Sequence, residues 1–273
     1  MHHHKPIFLL QNNYFEQLGR LIQPCLDFCS KNSIDFVDRS MTERFDPDAL
    51  GVDWTDWAGV IVYGSVQWVK RCRESSLAPW AFYEPEAFAS STWVPYFGDD
   101  ALNWDGIVIT LNELEKRLHV GEQLHVRPDQ DDKAFVGGVY DMRSWNGMLD
   151  RRITDRQSIP ETNLPCFASS LKEISAEHRC WFVNGDLIDV STYRKDRQPH
   201  VARCLDPGIM REAMRLSKTY LPLPSVVMDV AETETGCKII EFNPICSSGW
   251  YAADVNSILS AWSAMLISTR KSE

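Results

Sequence analysis

The stretch Val226–Ser248 reads VVMDVAETETGCKIIEFNPICSS, and it decides the fold of this chain of 273 residues. Two β-rich apolar runs, VVMDV and CKIIEF, flank the polar turn Glu232–Gly236, a pattern typical of a β-hairpin. Three oxygen-bearing side chains interrupt or follow the apolar runs: Asp229, Glu241 and Asn243.

These three side chains are predicted to lie on one face of the hairpin. With the loop centred near Thr235, Asp229 lies directly opposite Glu241, and Asn243 shares that face because side chains alternate with period two. Two carboxylates and an amide oxygen form a hard-oxygen site that suits Mg²⁺, an ion usually shared with nucleotide phosphates. A hairpin with one solvated face is the alternative. We favour the metal site because unpaired carboxylates in a buried strand are costly.

Composition excludes several classes of protein. Apolar residues make up 44% of the sequence, enough for one large domain or two smaller ones. The net charge is −10 without a basic tail or stripe, which argues against a general binder of nucleic acid or anionic membrane. No apolar run approaches the ~20 residues of a membrane span, and no signal-peptide pattern is present. The eight cysteines include no CxxC pair, so we expect reduced, buried thiols and a cytoplasmic location.

The N-terminal part is predicted to be a small α/β unit with parallel strands. The expected strands are Lys5–Gln11, Ile34–Val37 and Ala58–Tyr63. A helix is expected over Tyr14–Asn32, with Pro24 kinking or dividing it. The third strand ends in Tyr63-Gly64-Ser65, a place where open α/β sheets bind ligands, although a plain turn glycine fits equally well. The aromatic segment Arg71–Asp105 is expected to be an irregular linker packed against the domains.

The central part contains a predicted hairpin with two basic residues. Strands Leu124–Arg127 and Lys133–Tyr140 surround the turn Pro128–Asp132, so Arg127 and Lys133 flank one turn. An arginine fork and a lysine point charge match a polyphosphate, although two ordinary cations on a solvated hairpin fit the same pattern. The phosphate-binding patterns GxxxxGK[ST] and GxGxxG are absent, so a nucleotide would bind by other means.

A second hairpin is predicted around Asn184-Gly185, a type I′ turn signal. Its strands are His178–Val183 and Asp186–Tyr193. The expected cross-strand pairs are Arg179 with Val190 and Glu177 with Thr192. Glu177, Arg179 and Arg194 would then share a surface suited to a ribose hydroxyl and anionic groups. An exposed cross-strand salt bridge is the alternative.

Four further segments complete the prediction. They are a helix or surface segment at Ser144–Asp155, an apolar run from Leu164 to Ser169, and helices at Pro207–Tyr220 and Asp254–Ile267.

In their order, these pieces resemble the ATP-grasp superfamily, in particular small bacterial and phage proteins with an Arg–Lys nucleotide-binding pair. The matching segments are RP…KAFVG within 127–137, EHR…STYR within 177–194 and MDV…IEFNP within 228–244. The resemblance implies an α/β (α+β) ATP-grasp fold. It also implies a pre-ATP-grasp domain over residues 1–115 and a catalytic domain over residues 116–273. Two departures are a glycine-rich lid reduced to Gly137-Gly138, and Arg127 near where many relatives carry lysine.

The resemblance also implies a site. ATP would lie between two β-lobes, with adenine against the linker Ser169–Ile174. The residues implied in nucleotide binding are Arg127, Lys133, Ser170, Lys172, Glu177 and Arg179. Those implied in holding one or two Mg²⁺ are Asp229, Glu241 and Asn243. Arg179 and Arg194 would contact the γ-phosphate or the substrate carboxylate, and Ser247–Tyr251 would border the acceptor site.

The activity that the resemblance implies is that of an ATP-dependent carboxylate–amine ligase. It would act through an acyl phosphate, release ADP and phosphate, and use small substrates such as amino acids or peptides. No membrane or nucleic-acid partner is expected. Two alternatives stay open: a kinase on the same scaffold, and a regulatory module that binds ATP without consuming it.

Overall fold

Within the described residues, the strands form three sheets of three or more strands and one short hairpin. The computed structural model describes residues 4–16, 19–130, 134–155 and 157–270. The strands are β1 (Ile7–Gln11), β2 (Phe15–Glu16), β3 (Gly19–Arg20), β4 (Phe36–Arg39), β5 (Val60–Tyr63), β6 (Ile107–Thr110), β7 (Leu124–Pro128), β8 (Gly138–Tyr140), β9 (Pro165–Ser169), β10 (Ala176–Val183), β11 (Asp186–Lys195), β12 (Gln198–Arg203), β13 (Val226–Thr233) and β14 (Gly236–Pro244). The α-helices are α1 (Gln23–Asn32), α2 (Val66–Arg73), α3 (Pro85–Phe88), α4 (Ser90–Phe97), α5 (Leu111–Arg117), α6 (Met142–Thr154), α7 (Pro207–Ser217) and α8 (Val255–Arg270).

The N-terminal strands form a parallel sheet in the order β4-β1-β5, as predicted. Every residue of β1 and β5 is buried, which explains why both strands read as nearly continuous apolar runs. Stacked aromatic rings connect this sheet to β10. Trp250 stacks between Tyr63 of β5 and Trp181 of β10, with ring centroids 4.7 Å from each.

The helix predicted over Tyr14–Asn32 is wrong in its first half. β2 and β3 form a short hairpin there, and the helix begins at Gln23. Pro24 therefore lies in the first turn of α1 and does not interrupt it. Proline fits that position because the first N–H groups of a helix have no partner within the helix.

Gly64 fits its position because neighbouring side chains leave no room for a Cβ. A Cβ built there would lie 2.7 Å from Gln11 Cβ and 2.7 Å from ring atoms of Trp68. Gln11 in turn accepts hydrogen bonds from Ser65 N and Oγ, each at 2.8 Å. The glycine therefore packs the end of β5 against β1 and α2.

We expect Gly64→Ala to lower the free energy of unfolding by about 1–3 kcal/mol, the usual effect of overpacking a core. Urea unfolding measures the change. Gly147→Ala is the matched control, because an added Cβ inside α6 meets nothing within 4 Å. That change should be neutral or stabilise the helix by up to about 1 kcal/mol. Equal unfolding midpoints for Gly64→Ala and wild type would contradict the packing argument.

The aromatic segment Arg71–Asp105 is more regular than predicted, since it contains α3, α4 and the end of α2. Its rings at 83, 88, 93 and 97 are buried. Trp93 and Phe97 pack on Phe242 of β14, with centroid distances of 5.4 and 6.1 Å. The segment thus supports the strand that carries Glu241 and Asn243.

Two antiparallel sheets make up the remainder. One has the order β6-β9-β7-β8, and the other has the order β12-β11-β10-β13-β14. The ambiguous segment Ser144–Asp155 is helical in α6, and Asp254 caps α8 by accepting from Ser257 N at 3.2 Å. The return strand predicted to begin at Lys133 is confined to β8, and Lys133 itself lies outside the described residues.

Buried apolar side chains form two clusters. The larger one joins the N-terminal sheet to the five-stranded sheet, and the smaller one lies within residues 109–168. The domain boundary between residues 115 and 116 stays a prediction. The eight cysteines carry thiols, and all are buried except the half-buried Cys237. Among the described helices, none has the length and apolar character needed to cross a bilayer.

Candidate active site

The register of the β13–β14 hairpin brings the predicted metal ligands together. Asp229 pairs with Glu241, as predicted. The pair at the turn, Thr233 with Gly236, would by itself place Asp229 opposite Ile240. One extra residue in β14 shifts the register by one position and restores the predicted pair, as a β-bulge does.

Asp229, Glu241 and Asn243 form one hydrogen-bonded cluster. Asn243 Nδ2 donates to Asp229 Oδ2 at 3.2 Å and to Glu241 Oε1 at 3.0 Å. Asp229 is 1% exposed, whereas the Glu241 side chain is 24% exposed. The cluster therefore opens to solvent at Glu241. No group of three or more His, Cys, Asp or Glu side chains with metal-binding geometry occurs in the described part of the chain. The oxygen set here consists of two carboxylates and one amide.

Two arginines pair with the carboxylates. Arg179 on β10 donates through Nε and Nη2 to the two oxygens of Asp229, at 2.9 and 2.7 Å. Arg127 on β7 lies with its Nη2 2.8 Å from Glu241 Oε2, which links the four-stranded sheet to the five-stranded one. Each buried arginine offsets the charge of one carboxylate. Arg127, predicted to bind phosphate, thus contacts a predicted metal ligand.

The Arg179–Asp229 pair has shifted protonation equilibria. Burial raises the pKa of Asp229 to about 6, against the opposing charge of Arg179. Burial disfavours the charge of Arg179 too, but Asp229 outweighs this effect and holds the pKa of Arg179 well above its usual range. Asp229 therefore takes up a proton at a higher pH than an ordinary aspartate does.

The predicted register of the second hairpin is wrong, although its turn is right. Val183 pairs with Asp186 around Asn184-Gly185, but two register shifts follow along the ladder. The observed pairs are Arg179 with Ser191, His178 with Thr192, and Glu177 with Arg194. Extra residues in β11, at Ile188 and Tyr193, cause the shifts, and a simple alternation pattern does not reveal them.

Glu177, Arg179 and Arg194 nevertheless lie together. Arg194 Nη1 is 2.8 Å from Glu177 Oε1, and Glu177 and Arg179 share one face of β10 because they are two residues apart. Arg179 is buried, whereas the Arg194 side chain is 51% exposed. Arg179 is also held 4.9 Å from the ring centroid of Tyr251, which stacks on Tyr193.

A cavity of about 570 Å³ lies between the two antiparallel sheets. Its walls come from β7, β8, β10, β11, β14 and the linker 171–175. Three predicted site residues line it: Lys172, Glu177 and Arg194. Ser170 does not line it. The Ser170 hydroxyl donates to Asp105, whose other oxygen lies 2.7 Å from Lys172 Nζ.

A second cavity, of about 500 Å³, adjoins the same strands. Its walls include Arg179, Glu241 and Asn243, together with the N-terminal unit and the loop after β14. The residues from these last two parts are Tyr14, Ser65, Val66, Gln67, Ser247, Ser248, Gly249 and Tyr251. Neighbouring residues divide between the cavities, since Ile240 lines the first and Glu241 the second. The oxygen cluster therefore lies at their junction.

Several residues of these cavities were missed by sequence reasoning. His125 lines the first cavity, and Tyr14 and Gln67 line the second. The loop Ser247–Tyr251, predicted to border the acceptor site, contributes four residues to the wall of the second cavity. Tyr14 and Gln67 follow the carboxyl ends of β1 and β5, where open α/β sheets bind ligands. This position is the sequence signal that could have identified them.

Comparison with protein families gives one match across most of the chain. Residues 86–265 match the family described as ATP-grasp domain, R-2-K clade family 3. No curated protein sequence matches the chain significantly.

Solved structures share the fold. D-alanine–D-alanine ligase from Bacillus anthracis complexed with ATP is 14% identical, with a TM-score of 0.62 over 98% of both chains. A RimK domain ATP-grasp protein from Sphaerobacter thermophilus is 10% identical, with a TM-score of 0.59 over 96% of this chain and 98% of that one. The ATP-grasp ligase PsnB, complexed with minimal precursor, Mg and ADP, is 14% identical, with a TM-score of 0.54 over 97% and 98%. The predicted ATP-grasp fold is confirmed.

Proposed function

We propose that this protein is an ATP-dependent ligase that joins a carboxylate to an amine. The chain belongs to family 3 of the R-2-K clade of ATP-grasp domains, and this membership is the premise of the proposal. The arrangement that supports this reaction is the junction of two cavities at the cluster of Asp229, Glu241 and Asn243. One cavity would take the nucleotide and the other the substrate that receives the phosphoryl group. Residues 1–115 would form the pre-ATP-grasp domain, and residues 116–273 the catalytic one.

The first cavity fits a nucleotide. Its volume of about 570 Å³ lies in the range of roughly 300–1,000 Å³ typical of small-molecule sites. Gly137-Gly138 in its wall allows a ligand to approach the backbone closely. His125 Nδ1 is buried in the same wall, and no hydrogen-bond partner for it occurs among the described residues. Adenine would lie against the linker 171–174, and the phosphates would lie near Lys172 and Arg194, which line the cavity. Arg127 and Lys133 are proposed as further phosphate ligands.

The oxygen cluster fits Mg²⁺. Asp229 and Glu241 would supply carboxylate oxygens, and Asn243 would supply its amide oxygen once the amide turns its Nδ2 away from the carboxylates. Two carboxylates with substrate phosphates are the usual environment of this ion. Bound there, Mg²⁺ would offset charge on the phosphoryl oxygens. Arg127 then has a second role, since a guanidinium released from Glu241 can bind a phosphate oxygen.

The reaction requires positioning more than covalent catalysis. A carboxylate oxygen of the substrate attacks the γ-phosphorus of ATP, ADP leaves, and an acyl phosphate forms. The amine then attacks the carbonyl carbon, loses a proton, and phosphate leaves. Arg179 lies in the wall of the second cavity and would orient the carboxylate, while Arg194 would hold phosphate oxygens from the first. Glu177 holds Arg194 in place.

The substrates would be small and the enzyme cytoplasmic. The name of one fold relative refers to D-alanine, and another structure of PsnB contains a precursor peptide; both compounds carry carboxylate and amine groups. The second cavity, at about 500 Å³, has room for an amino acid or the end of a peptide. We therefore propose an amino acid or peptide as carboxylate donor and as amine acceptor.

Product analysis distinguishes the ligase from its alternatives. Incubation with Mg·ATP, a library of amino acids and hydroxylamine should yield ADP and phosphate in equal amounts, with a hydroxamate from the trapped acyl phosphate. A kinase would form ADP without phosphate and without hydroxamate. A regulatory module would be stabilised by Mg·ATP, by about 2.7 kcal/mol at a hundredfold excess over Kd, yet form no ADP. Either of these last results would overturn the ligase proposal.

A further inference from the structure

The protein's own hydrogen-bond donors close the oxygen cluster. The two oxygens of Glu241 contact Arg127 Nη2, at 2.8 Å, and Asn243 Nδ2, at 3.0 Å. The two oxygens of Asp229 accept from Arg179, and one of them also accepts from Asn243. A divalent cation that binds through these carboxylates must therefore displace groups that already offset their charge or satisfy their lone pairs.

The two arginines differ in how firmly they hold their carboxylates. Arg179 donates twice to Asp229, which is 1% exposed, and its Nη1 also donates to Gly249 O at 3.3 Å. Arg127 holds Glu241 through Nη2, and the Glu241 side chain is 24% exposed. Arg127 also belongs to the other sheet, so its pair with Glu241 crosses between two separate elements. The Arg127–Glu241 pair is therefore the one that a ligand can open.

Arg127 also lies beside the first cavity. His125, two residues earlier on β7, lines that cavity and shares its face of the strand with Arg127. Gly137, a second wall residue, packs against Arg127, because a Cβ built at Gly137 would lie 3.1 Å from Arg127 Cβ. Arg127 is thus positioned between Glu241 and the cavity proposed for the nucleotide.

We propose that Arg127 couples the binding of Mg²⁺ to the binding of the nucleotide, an inference that rests on the proposed function. Without ligands, Arg127 holds Glu241. When Mg·ATP binds, the guanidinium leaves Glu241 to the metal and binds a phosphate oxygen. Either ligand alone must open the Arg127–Glu241 pair, whereas the two together open it once. Each ligand therefore raises the affinity of the other by the same factor.

Isothermal titration calorimetry of the full-length protein tests this coupling without turnover. The titrants are MgCl₂ alone, and the non-hydrolysable ATP analogue AMP-PNP with EDTA or with saturating Mg²⁺. Arg127→Met should bind Mg²⁺ alone about tenfold more tightly than wild type, because Glu241 is released, a change within the usual range of coupling between sites. The same variant should bind AMP-PNP more weakly at saturating Mg²⁺, because a phosphate ligand is lost. These opposite signs identify a residue that changes partner, since a purely structural role would weaken both.

Arg194→Met is the matched control for the loss of positive charge. Arg194 lines the first cavity and pairs with Glu177, which is not among the proposed metal ligands. Its loss should also weaken the binding of AMP-PNP at saturating Mg²⁺. The affinity for Mg²⁺ alone should stay within about twofold of wild type, because the Arg194 side chain is 51% exposed and its charge is screened.

Arg127→Lys keeps a positive charge beside Glu241 and decides the question if Arg127→Met does not fold. A lysine lacks the planar fork of arginine, so this variant should show the same two signs with smaller changes. A folded Arg127 variant that binds AMP-PNP with Mg²⁺, yet binds Mg²⁺ alone no more tightly than wild type, would overturn the coupling and leave the ligase proposal standing. A wild-type protein that binds no AMP-PNP with Mg²⁺ would instead overturn the proposed function, and this inference with it.

Discussion

Glu241→Gln should lower Mg²⁺-dependent turnover of ATP by at least about a hundredfold while leaving the fold intact. Removal of one group that stabilises transition-state charge typically reduces kcat by about 10²–10³-fold. Glu241 is positioned for such a role because it is the most exposed member of the oxygen cluster and lies at the junction of the cavities. The amide keeps an oxygen that accepts from Arg127, so the inter-sheet contact survives.

The measurement is ADP release at saturating Mg·ATP, accompanied by thermal unfolding with and without Mg·ATP. Wild type should show a metal-dependent rise of the midpoint that the variant lacks. Glu234→Gln is the matched control, because Glu234 lies exposed at the turn of the same hairpin. A Glu241→Gln enzyme with wild-type turnover would exclude Glu241 as a metal ligand.

Arg179→Met should lower the free energy of unfolding by about 3–5 kcal/mol at pH 8, the usual effect of breaking a buried ion pair from one side. The reason is that Asp229, 1% exposed, would lose both hydrogen bonds from the guanidinium. The double variant Arg179→Met/Asp229→Leu should recover much of the loss, since no buried charge is then left. Both variants should be inactive.

The deficit of Arg179→Met should shrink as pH falls. In wild type the folded pKa of Asp229, about 6, exceeds its unfolded value near 3.8. The stability from this group is therefore complete below pH 3.8 and is lost as pH rises through 6. Removal of Arg179 raises the folded pKa of Asp229 further, so the variant continues to lose stability at pH values where the wild type no longer does. The two proteins therefore differ most in unfolding free energy at high pH. Near pH 5 the protonated Asp229 needs no cation.

Urea unfolding at pH 5 and pH 8 gives both numbers. Arg197→Met is the control, because Arg197 is 72% exposed and pairs with the exposed Glu173. It should change the unfolding free energy by less than about 1 kcal/mol at either pH. A deficit of Arg179→Met that is equal at pH 5 and pH 8 would contradict the raised pKa of Asp229.

Strand periodicity correctly predicted that Asp229 pairs with Glu241, but two differences between the predicted and observed hairpin cancel in this result. The turn is tighter than assumed, and the extra residue Ile240 in β14 corrects the register. In the β10–β11 hairpin the shifts at Ile188 and Tyr193 add to one another, so the predicted pairs of Glu177 and Arg179 were wrong. β-Bulges depend on packing between sheets, and a local sequence pattern carries no information about that packing.

Other features depend on contacts between distant segments. Nothing near Arg127 in sequence indicates that it pairs with Glu241, because the two residues lie in different sheets. The apolar periodicity through Leu21 and Ile22 correctly marked buried residues, yet both precede the helix. Burial could therefore be predicted where backbone conformation could not. The parallel N-terminal sheet, by contrast, follows from the order of its buried strands.

The stacked rings of Tyr63, Trp250 and Trp181 affect how the chain folds during its synthesis. Tyr63 is made early in synthesis, whereas both of its neighbours in the stack follow more than a hundred residues later. The N-terminal sheet therefore completes its packing only after β10 and the loop that follows β14 have been made. Until then, the face of the Tyr63 ring that receives Trp250 lacks this cover in the newly made protein.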